Sequence, residues 1–591
     1  MTSPTGIASR FLQGFLVAGV LAVFGGIAPL LAAEATQGGV PKVVIDGLED
    51  KAAENVRAIL RLAAEPCDAP SWRLRRLFQA ADGDIKEALW PFGYYAPRAV
   101  KGFSAGEPCW SAHFTIDPGP RLHWSRIDIQ LHGEAASDLV FTKLLSELQP
   151  KVGEPINHAD YEAIKAEILL VAAKRGYRDG HFTTHALRLD PQAETAEAIL
   201  YYDSGPRYRF GEVHFDQDAF DPAFVQRFSQ SLSGEFYEAA AVGRLQRSLM
   251  DSGLFSTVDV KPDFGPNPEK QVPVNVRLVP RKRHAYLAGI GLTTDEGPRL
   301  RLGYENRRFN SRGHSGEAAL RASSVRSNLD FSYNIPLRNP QTERLSLQAG
   351  YQEEHVEDTD SELYKASVRH IRHRSAGLVQ TVFLEINEER FTAGDDKGNS
   401  TLLMPGVSWD WSSGDDLIYP KRGWRLGLEV KGGSKALLSD VDFLRGYLRM
   451  KRIIPFFDGR LIGRGELGYS LIDDFNELPP SQRFFAGGDN SVRGYGYREL
   501  APRDANDNVV GGRHLLTASI EYDQPIAEKW SLAVFADTGD AFDNTGIQLH
   551  HAIGVGVRWR SPVGPIRLDL AHPLDEDQGT IRLHFSLGPD L

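Results

Sequence analysis

From Ala285 to Leu591 the chain alternates apolar and polar residues with a period of two, in segments of roughly ten residues separated by polar, glycine-rich turns. Leu345, Leu347 and Ala349 alternate with Ser346, Gln348 and Gly350, and Leu426, Leu428 and Val430 with Arg425, Gly427 and Glu429. Ile566, Leu568 and Leu570 alternate with Arg567 and Asp569, and Ile581, Leu583, Phe585 and Leu587 with Arg582, His584 and Ser586. Successive side chains of a strand point to opposite faces, so this text builds strands with one apolar and one polar face. A soluble sandwich alternates too, but in a membrane barrel the apolar face meets lipid and the closed ladder satisfies every backbone group. The Arg and Glu residues would then face a hydrated lumen. At about 19 residues per strand and connection, roughly 300 residues give an all-β transmembrane barrel of about 16 antiparallel strands over residues 284–591. Trp409, Trp411, Tyr419, Trp424, Trp530 and Trp559 lie near segment ends, where they form either an interfacial girdle or ordinary packing.

A barrel of this kind requires export. Arg10 precedes an apolar run from Phe11 to Leu31, followed by Ala33-Glu34-Ala35, and residues 1–35 therefore read as a secretory signal peptide, with a retained anchor as the alternative. Gly25, Gly26 and Pro29 interrupt the run near its end, which suits a cleavable segment. In an oxidising compartment Cys67 and Cys109 form either a disulfide or two buried thiols. Lys and Arg number 67 against 78 Asp and Glu, a formal charge of −11, which argues against a nucleic-acid partner.

The front half is a tandem repeat of α+β character, each copy a strand, two helices and two strands. Asp117-Pro118-Gly119-Pro120-Arg121 and Asp203-Ser204-Gly205-Pro206-Arg207 read as domain junctions, giving three βααββ domains at residues 40–119, 120–205 and 206–281. In the second copy Ile127, Ile129 and Leu131 alternate as a strand. Asn157 stands at a helix N-cap, and Tyr161, Ile164, Ile168 and Val171 form one helix face that Gly176 ends. Three-stranded sheets with open edges can accept an extended strand, or the domains are spacers.

Gly487-Gly488-Asp489-Asn490-Ser491-Val492-Arg493-Gly494-Tyr495 resembles the signature loop of the outer-membrane assembly-factor superfamily, which joins periplasmic polypeptide-transport-associated domains to a 16-stranded barrel. Ala518-Ser519-Ile520-Glu521-Tyr522, Phe535-Ala536-Asp537-Thr538-Gly539 and Ser561-Pro562-Val563-Gly564-Pro565-Ile566-Arg567-Leu568-Asp569 follow in that family's order. Three front domains and the ending Phe585-Ser586-Leu587-Gly588-Pro589-Asp590-Leu591 resemble its translocation-and-assembly-module branch.

The resemblance implies that Arg493 enters the lumen on a loop held by Val492, Gly494 and Tyr495, with Glu521 and Asp537 as its acidic partners. Gly494 and Gly539 would allow the loop to approach the wall. The cluster is either a lock for folding alone or also a part of client handling. It further implies a weak lateral seam between a first strand with Tyr286, Gly289 and Gly291 and a last strand with Leu583, Phe585 and Leu587. The implied partners are unfolded outer-membrane protein clients such as autotransporters, outer-membrane lipids, and an inner-membrane-anchored, periplasm-spanning (TamB-like) protein. A two-partner-type secretion pore, a passive porin and a lipid conduit are the competing readings.

Enzyme chemistry is not expected. No Walker loop, H-E-x-x-H or G-x-S-x-G occurs, and Gly289-Ile290-Gly291 lacks the third glycine of a dinucleotide fingerprint. His370 with His373, and His550 with His551, have no acidic or cysteine partner at ligand spacing, and Asp395, Asp396, Asp415 and Asp416 stand in glycine- and serine-rich loop text. Neither a metal nor a cofactor is expected.

Overall fold

The computed structural model describes residues 40–148, 152–356, 358–374, 377–416, 419–543, 546–561, 564–575 and 581–587. The expected signal peptide lies outside the described residues. The described chain forms two compact units, one of residues 40–130, 144–166 and 183–201, the other of residues 131–143, 167–182 and 202 onward. Among the described residues no helix is long and apolar enough to cross a membrane.

The front half forms three βααββ domains. The first has strand Lys42–Asp46, helices Asp50–Ile59 and Ser71–Leu89, and strands Arg98–Ser104 and Ser111–Asp117. The second runs through His123–His132, Leu139–Leu148, His158–Arg175, His181–Asp190 and Thr195–Asp203. The third runs through Arg209–Asp216, Pro222–Gln226, Ala239–Asp251, Phe255–Pro262 and Gln271–Pro280. In every sheet the last strand is central, leaving the first and second strands as open edges. In the first and third domains the central strand runs parallel to the first strand and antiparallel to the second.

Helix His158–Arg175 begins where Asn157 Oδ1 accepts the Ala159 N–H at 2.9 Å, an N-cap that satisfies one orphan donor. Tyr161, Ile164 and Ile168 are buried, and the last buried position is Ala172 instead of Val171, because 3.6 residues per turn carries the face one residue on. Gly176 then takes φ +87°, which suits a residue without Cβ. In the first domain Val56, Leu62, Ile85 and Phe114 pack the core, and a disulfide joins Cys67 to Cys109 with Cα atoms 5.0 Å apart.

The two junction turns are built alike. Asp117 Oδ1 accepts the Gly119 N–H at 3.1 Å, and Asp203 Oδ1 accepts the Gly205 N–H at 3.0 Å, with both glycines at positive φ. The arginine after each turn reaches back to the preceding domain: Arg121 Nε donates to the Phe92 carbonyl at 2.7 Å, and Arg207 Nε to the Arg175 carbonyl at 2.8 Å. Arg281, after the third domain, does the same to the Phe255 carbonyl at 2.9 Å.

From His284 onward sixteen antiparallel strands follow one another in a single sheet ordered as in the sequence, from His284–Thr293 to Arg582–Leu587. Alternation sorts the side chains. Ile520, Leu532, Val534, Ile553, Val555, Leu568 and Leu570 point out on the face that lipid covers, whereas Ser519, Glu521, Asp523 and Asp537 are buried within. Trp530 and Trp559 stack at 5.9 Å on the outside at strand ends. Tyr419 instead lies beneath Arg460, 3.5 Å from ring centre to guanidinium, and its hydroxyl donates to Asp523 at 2.9 Å, so it serves packing and not a girdle.

The third domain is seated on the strand connections at its end of the barrel. The Asp221 N–H donates to the Ser311 carbonyl at 2.9 Å, and Gln341 Nε2 to the Phe228 carbonyl at 3.2 Å. The Phe224 ring lies so close to Gly313 that a Cβ there would fall 2.3 Å from its Cζ.

Candidate functional site: an inserted loop and an open seam

The connection between strands Gly459–Ile472 and His514–Ala527 is far longer than the other turns and folds back into the barrel. Its apolar residues Phe484, Ala486, Val492, Tyr495 and Leu500 pack with Leu515, Ala541 and Ala552 of the wall, so the loop has its own small core inside a polar lumen. On one side of the lumen buried Glu389 accepts the Ser481 N–H at 3.2 Å and the Ser361 hydroxyl at 2.7 Å, and Arg498 meets Glu354 at 2.8 Å.

On the opposite side stands Arg493, only 3% exposed. Its Nε and one terminal nitrogen grip both oxygens of Asp537 at 2.7 and 3.0 Å, a bidentate fork, while the other terminal nitrogen reaches Glu521 at 2.8 Å and Asp569 at 3.1 Å. The guanidinium lies 3.3 Å from the centre of the Phe535 ring, and its own backbone N–H donates to Asp537 at 3.1 Å. One cation among three buried carboxylates would leave excess negative charge in a low-dielectric interior. Arg558 offsets it by bonding Glu521 at 3.0 Å and Asp569, and Arg464 lies 3.7 Å from Asp537. Three arginines thus face three carboxylates.

The structure therefore brings Arg493, Glu521 and Asp537 together, with Val492 fully buried and the Tyr495 hydroxyl donating to the His551 carbonyl at 3.3 Å. Gly494, at φ +99°, leaves room where a Cβ would come within 3.2 Å of Ala552. Gly539 differs from expectation: the space it leaves is taken by Leu516 and Thr517 of the neighbouring strand, so it serves the wall and not the loop. Sequence reasoning left Arg464, Arg558 and Asp569 unassigned, although inward parity marks Asp569 between the outward Leu568 and Leu570.

The two ends of the sheet meet differently. Among the described residues no strand ladder joins His284–Thr293 to Arg582–Leu587. The Thr294 N–H donates to the Phe585 carbonyl at 3.3 Å, and the Phe585 N–H donates to Thr294 Oγ1 at 2.9 Å. Both bonds lie at the end of the first strand remote from the third domain. Leu587 reaches a small cavity lined by Gly289, Ile290 and Gly291. Further back the first strand is open, with Tyr286 80% and Ile290 88% exposed, and Leu583 of the last strand is also exposed. A Cβ on Gly289 would touch nothing within 4 Å.

The fold and this site define a class: a sixteen-stranded barrel with a basic loop locked in its lumen and a weakly joined first and last strand, preceded by tandem βααββ domains. The model of the Omp85 superfamily domain matches residues 284–590, and the chain belongs to that superfamily. It is an outer-membrane β-barrel with periplasmic POTRA domains, the first of which, residues 42–118, matches the model of POTRA domain 1 of TamA. Among curated relatives it is 23% identical over 389 residues to the outer membrane protein assembly factor BamA of Nitratidesulfovibrio vulgaris, covering 62% of this chain and 49% of that one. It is 22% identical over 557 residues to BamA of Neisseria meningitidis serogroup B, covering 80% and 67%. The chain thus spans about half to two thirds of the length of these relatives. The structure of BamA from Haemophilus ducreyi lacking POTRA domains 1–3 is similar in fold, with a TM-score of 0.66 at 17% identity, over 79% of this chain and 99% of that one.

Proposed function

We propose that this protein is an outer-membrane protein translocation and assembly factor that inserts β-barrel clients, autotransporters among them, through a laterally opening seam. The observation that carries the reading is the seam itself. Fifteen strand pairs of the barrel are laddered, whereas its two ends share two hydrogen bonds among the described residues. An exposed strand edge in hydrocarbon is costly, and a client strand that pairs with it relieves that cost. The open edges of the POTRA sheets, such as Arg98–Ser104 with exposed Val100, would receive extended clients or a periplasm-spanning TamB-like partner by the same main-chain pairing. The similarity to BamA proteins named as outer membrane protein assembly factors supports assembly as the activity, and the TamA-type first domain supports that branch of the family. A loop crossing the lumen weighs against a passive porin, and three POTRA domains among the described residues weigh against a two-partner-type secretion pore, whose kind carries two.

The test places cysteines at Gly291 and Leu587, bridges them with a short bis-maleimide, and follows insertion of a radiolabelled β-barrel client into liposomes holding the protein. The bridged protein is expected to lose protease-protected insertion while the unbridged variant keeps it. Insertion at the full rate with the seam bridged would sink the lateral route.

A further inference from the structure

The inserted loop touches more than the wall that holds Arg493. Asp489, four residues before it and 8% exposed, stands between the two ends of the sheet. Its Oδ1 accepts the Thr294 hydroxyl at 2.6 Å and the Nδ1–H of His584 at 2.7 Å, so one oxygen is shared by the end of the first strand and the middle of the last. The direction of the second bond is set by the loop: the Gly494 N–H donates to His584 Nε2 at 2.9 Å, so that nitrogen is the acceptor and Nδ1 carries the proton. Thr294 Oγ1 in turn accepts the Phe585 N–H at 2.9 Å, making a relay from loop to first strand to last strand. The Asp489 N–H donates to Asp295 Oδ2 at 2.8 Å, an approach that Gly488 permits, since a Cβ there would lie 2.8 Å from the same oxygen. Farther out, Arg582 of the last strand meets Glu499 of the loop at 3.1 Å.

We infer that Asp489 is a latch residue: it makes the inserted loop a clasp across the seam, and the seam opens when this clasp releases. The inference rests on the reading of the seam as a lateral exit. The clasp is balanced to release. Asp489 Oδ2 is buried, has no hydrogen-bond partner among the described residues, and belongs to a carboxylate within 4.8 Å of that of Asp295. Burial together with the neighbouring Asp489 charge pushes the Asp295 carboxyl up to about 7, so the site disfavours two charges side by side, and this offsets much of what the Oδ1 bonds contribute. The Arg493 cluster carries no such deficit, with three arginines to three carboxylates, so the loop stays anchored to its wall while the clasp opens.

This balance gives opposite expectations for two substitutions at one position. Asp489→Ala removes both Oδ1 bonds. Asp489→Asn keeps an Oδ1 acceptor for Thr294 and His584 and places an N–H donor opposite Asp295, where the unpaired oxygen now sits. The measurement uses the full-length protein in lipid nanodiscs, with spin labels on cysteines at Ile290 and Leu583, and reads the interlabel distance distribution by pulsed electron paramagnetic resonance. Asp489→Ala is expected to raise the open-to-closed ratio roughly tenfold, the change that losing one or two net hydrogen bonds produces, and Asp489→Asn to leave it at or below the wild-type value. If Asp489→Ala does not accumulate as folded protein, Thr294→Val, which removes the relay hydroxyl, is expected to raise the ratio in its place. A ratio unchanged by Asp489→Ala, or raised equally by both substitutions, overturns the latch. Because only the seam distance is read, that outcome leaves the lateral route intact, whereas full client insertion through a bridged seam removes the route and leaves the latch measurement standing.

Discussion

Arg493 is the residue on which the lumen depends, because it answers three carboxylates through one planar, five-donor group. Replacing it by alanine leaves Glu521, Asp537 and Asp569 buried with only Arg558 and Arg464 to face them, a loss of about 3–5 kcal/mol. Arg493→Ala is therefore expected to destabilise the barrel and free the loop, seen as a lowered heat-modifiability transition on semi-native electrophoresis and as new protease cleavage between residues 473 and 513. Arg493→Lys should recover little, since one ammonium cannot reproduce the fork on Asp537. A stability equal to wild type in the alanine variant would show that the cluster does not hold the loop. The sequence made Arg493, Glu521 and Asp537 legible through their motifs. Arg558, Arg464 and the latch pair Asp489 and His584 were not legible in that way, because their meeting depends on strand register and on where a long loop lands, and neither is written in local periodicity.

At the scale of elements, the junction between the second and third POTRA domains is held by charged bonds. Arg175, at the end of helix His158–Arg175, donates to Asp138 at 2.6 Å and to Glu238 of the third domain at 3.2 Å, and Arg207 shares Glu238 at 3.4 Å. Burial pushes the Asp138 carboxyl up, but bonds from Arg175, the Val140 N–H and Tyr177 outweigh it and hold its pKa below the usual aspartate range. A carboxyl lowered in the folded state stabilises the fold above its unfolded pKa of about 3.9 and loses that contribution as pH falls through the folded value. Amide exchange of residues 131–143 and 167–182 in the full-length protein is expected to accelerate below about pH 4, and Asp138→Asn should show the faster exchange already at neutral pH with a flatter acid response. Equal exchange in both proteins at every pH would rule out this role. The helix and strand order of these domains was open to reading because amphipathic periods and the Asp-x-Gly-Pro-Arg turns are local signals. The backward reach of Arg121, Arg207 and Arg281 was not, since each bond joins residues separated by a folded segment.

At the scale of the whole molecule, the third POTRA domain packs on the barrel with the Phe224 ring directly over Gly313. Gly313→Val places a branched side chain into that ring and onto a residue at φ +78°, and is expected to unseat the domain without unfolding the barrel. Limited proteolysis between residues 281 and 284 should rise severalfold while heat-modifiability is retained, and an unchanged cleavage rate would show that the contact is not needed for seating. The sixteen-stranded barrel itself was the most readable feature of the chain, because alternation fixes which face meets lipid. That it is fastened unevenly was not readable, since periodicity is the same on both sides of the join.

The uneven fastening sets a polarity. The two bonds between Thr294 and Phe585 sit at the rim that faces away from the cell interior, whereas the bare stretch around Tyr286 lies toward the third POTRA domain. In the assembly role proposed above, a polypeptide delivered from below would meet its template before the fastening, and each residue it adds would travel outward like the slider of a zip. Nascent barrels would on this geometry grow from the inner leaflet toward the cell surface, with the last fastening undone only when the hairpin is already in place.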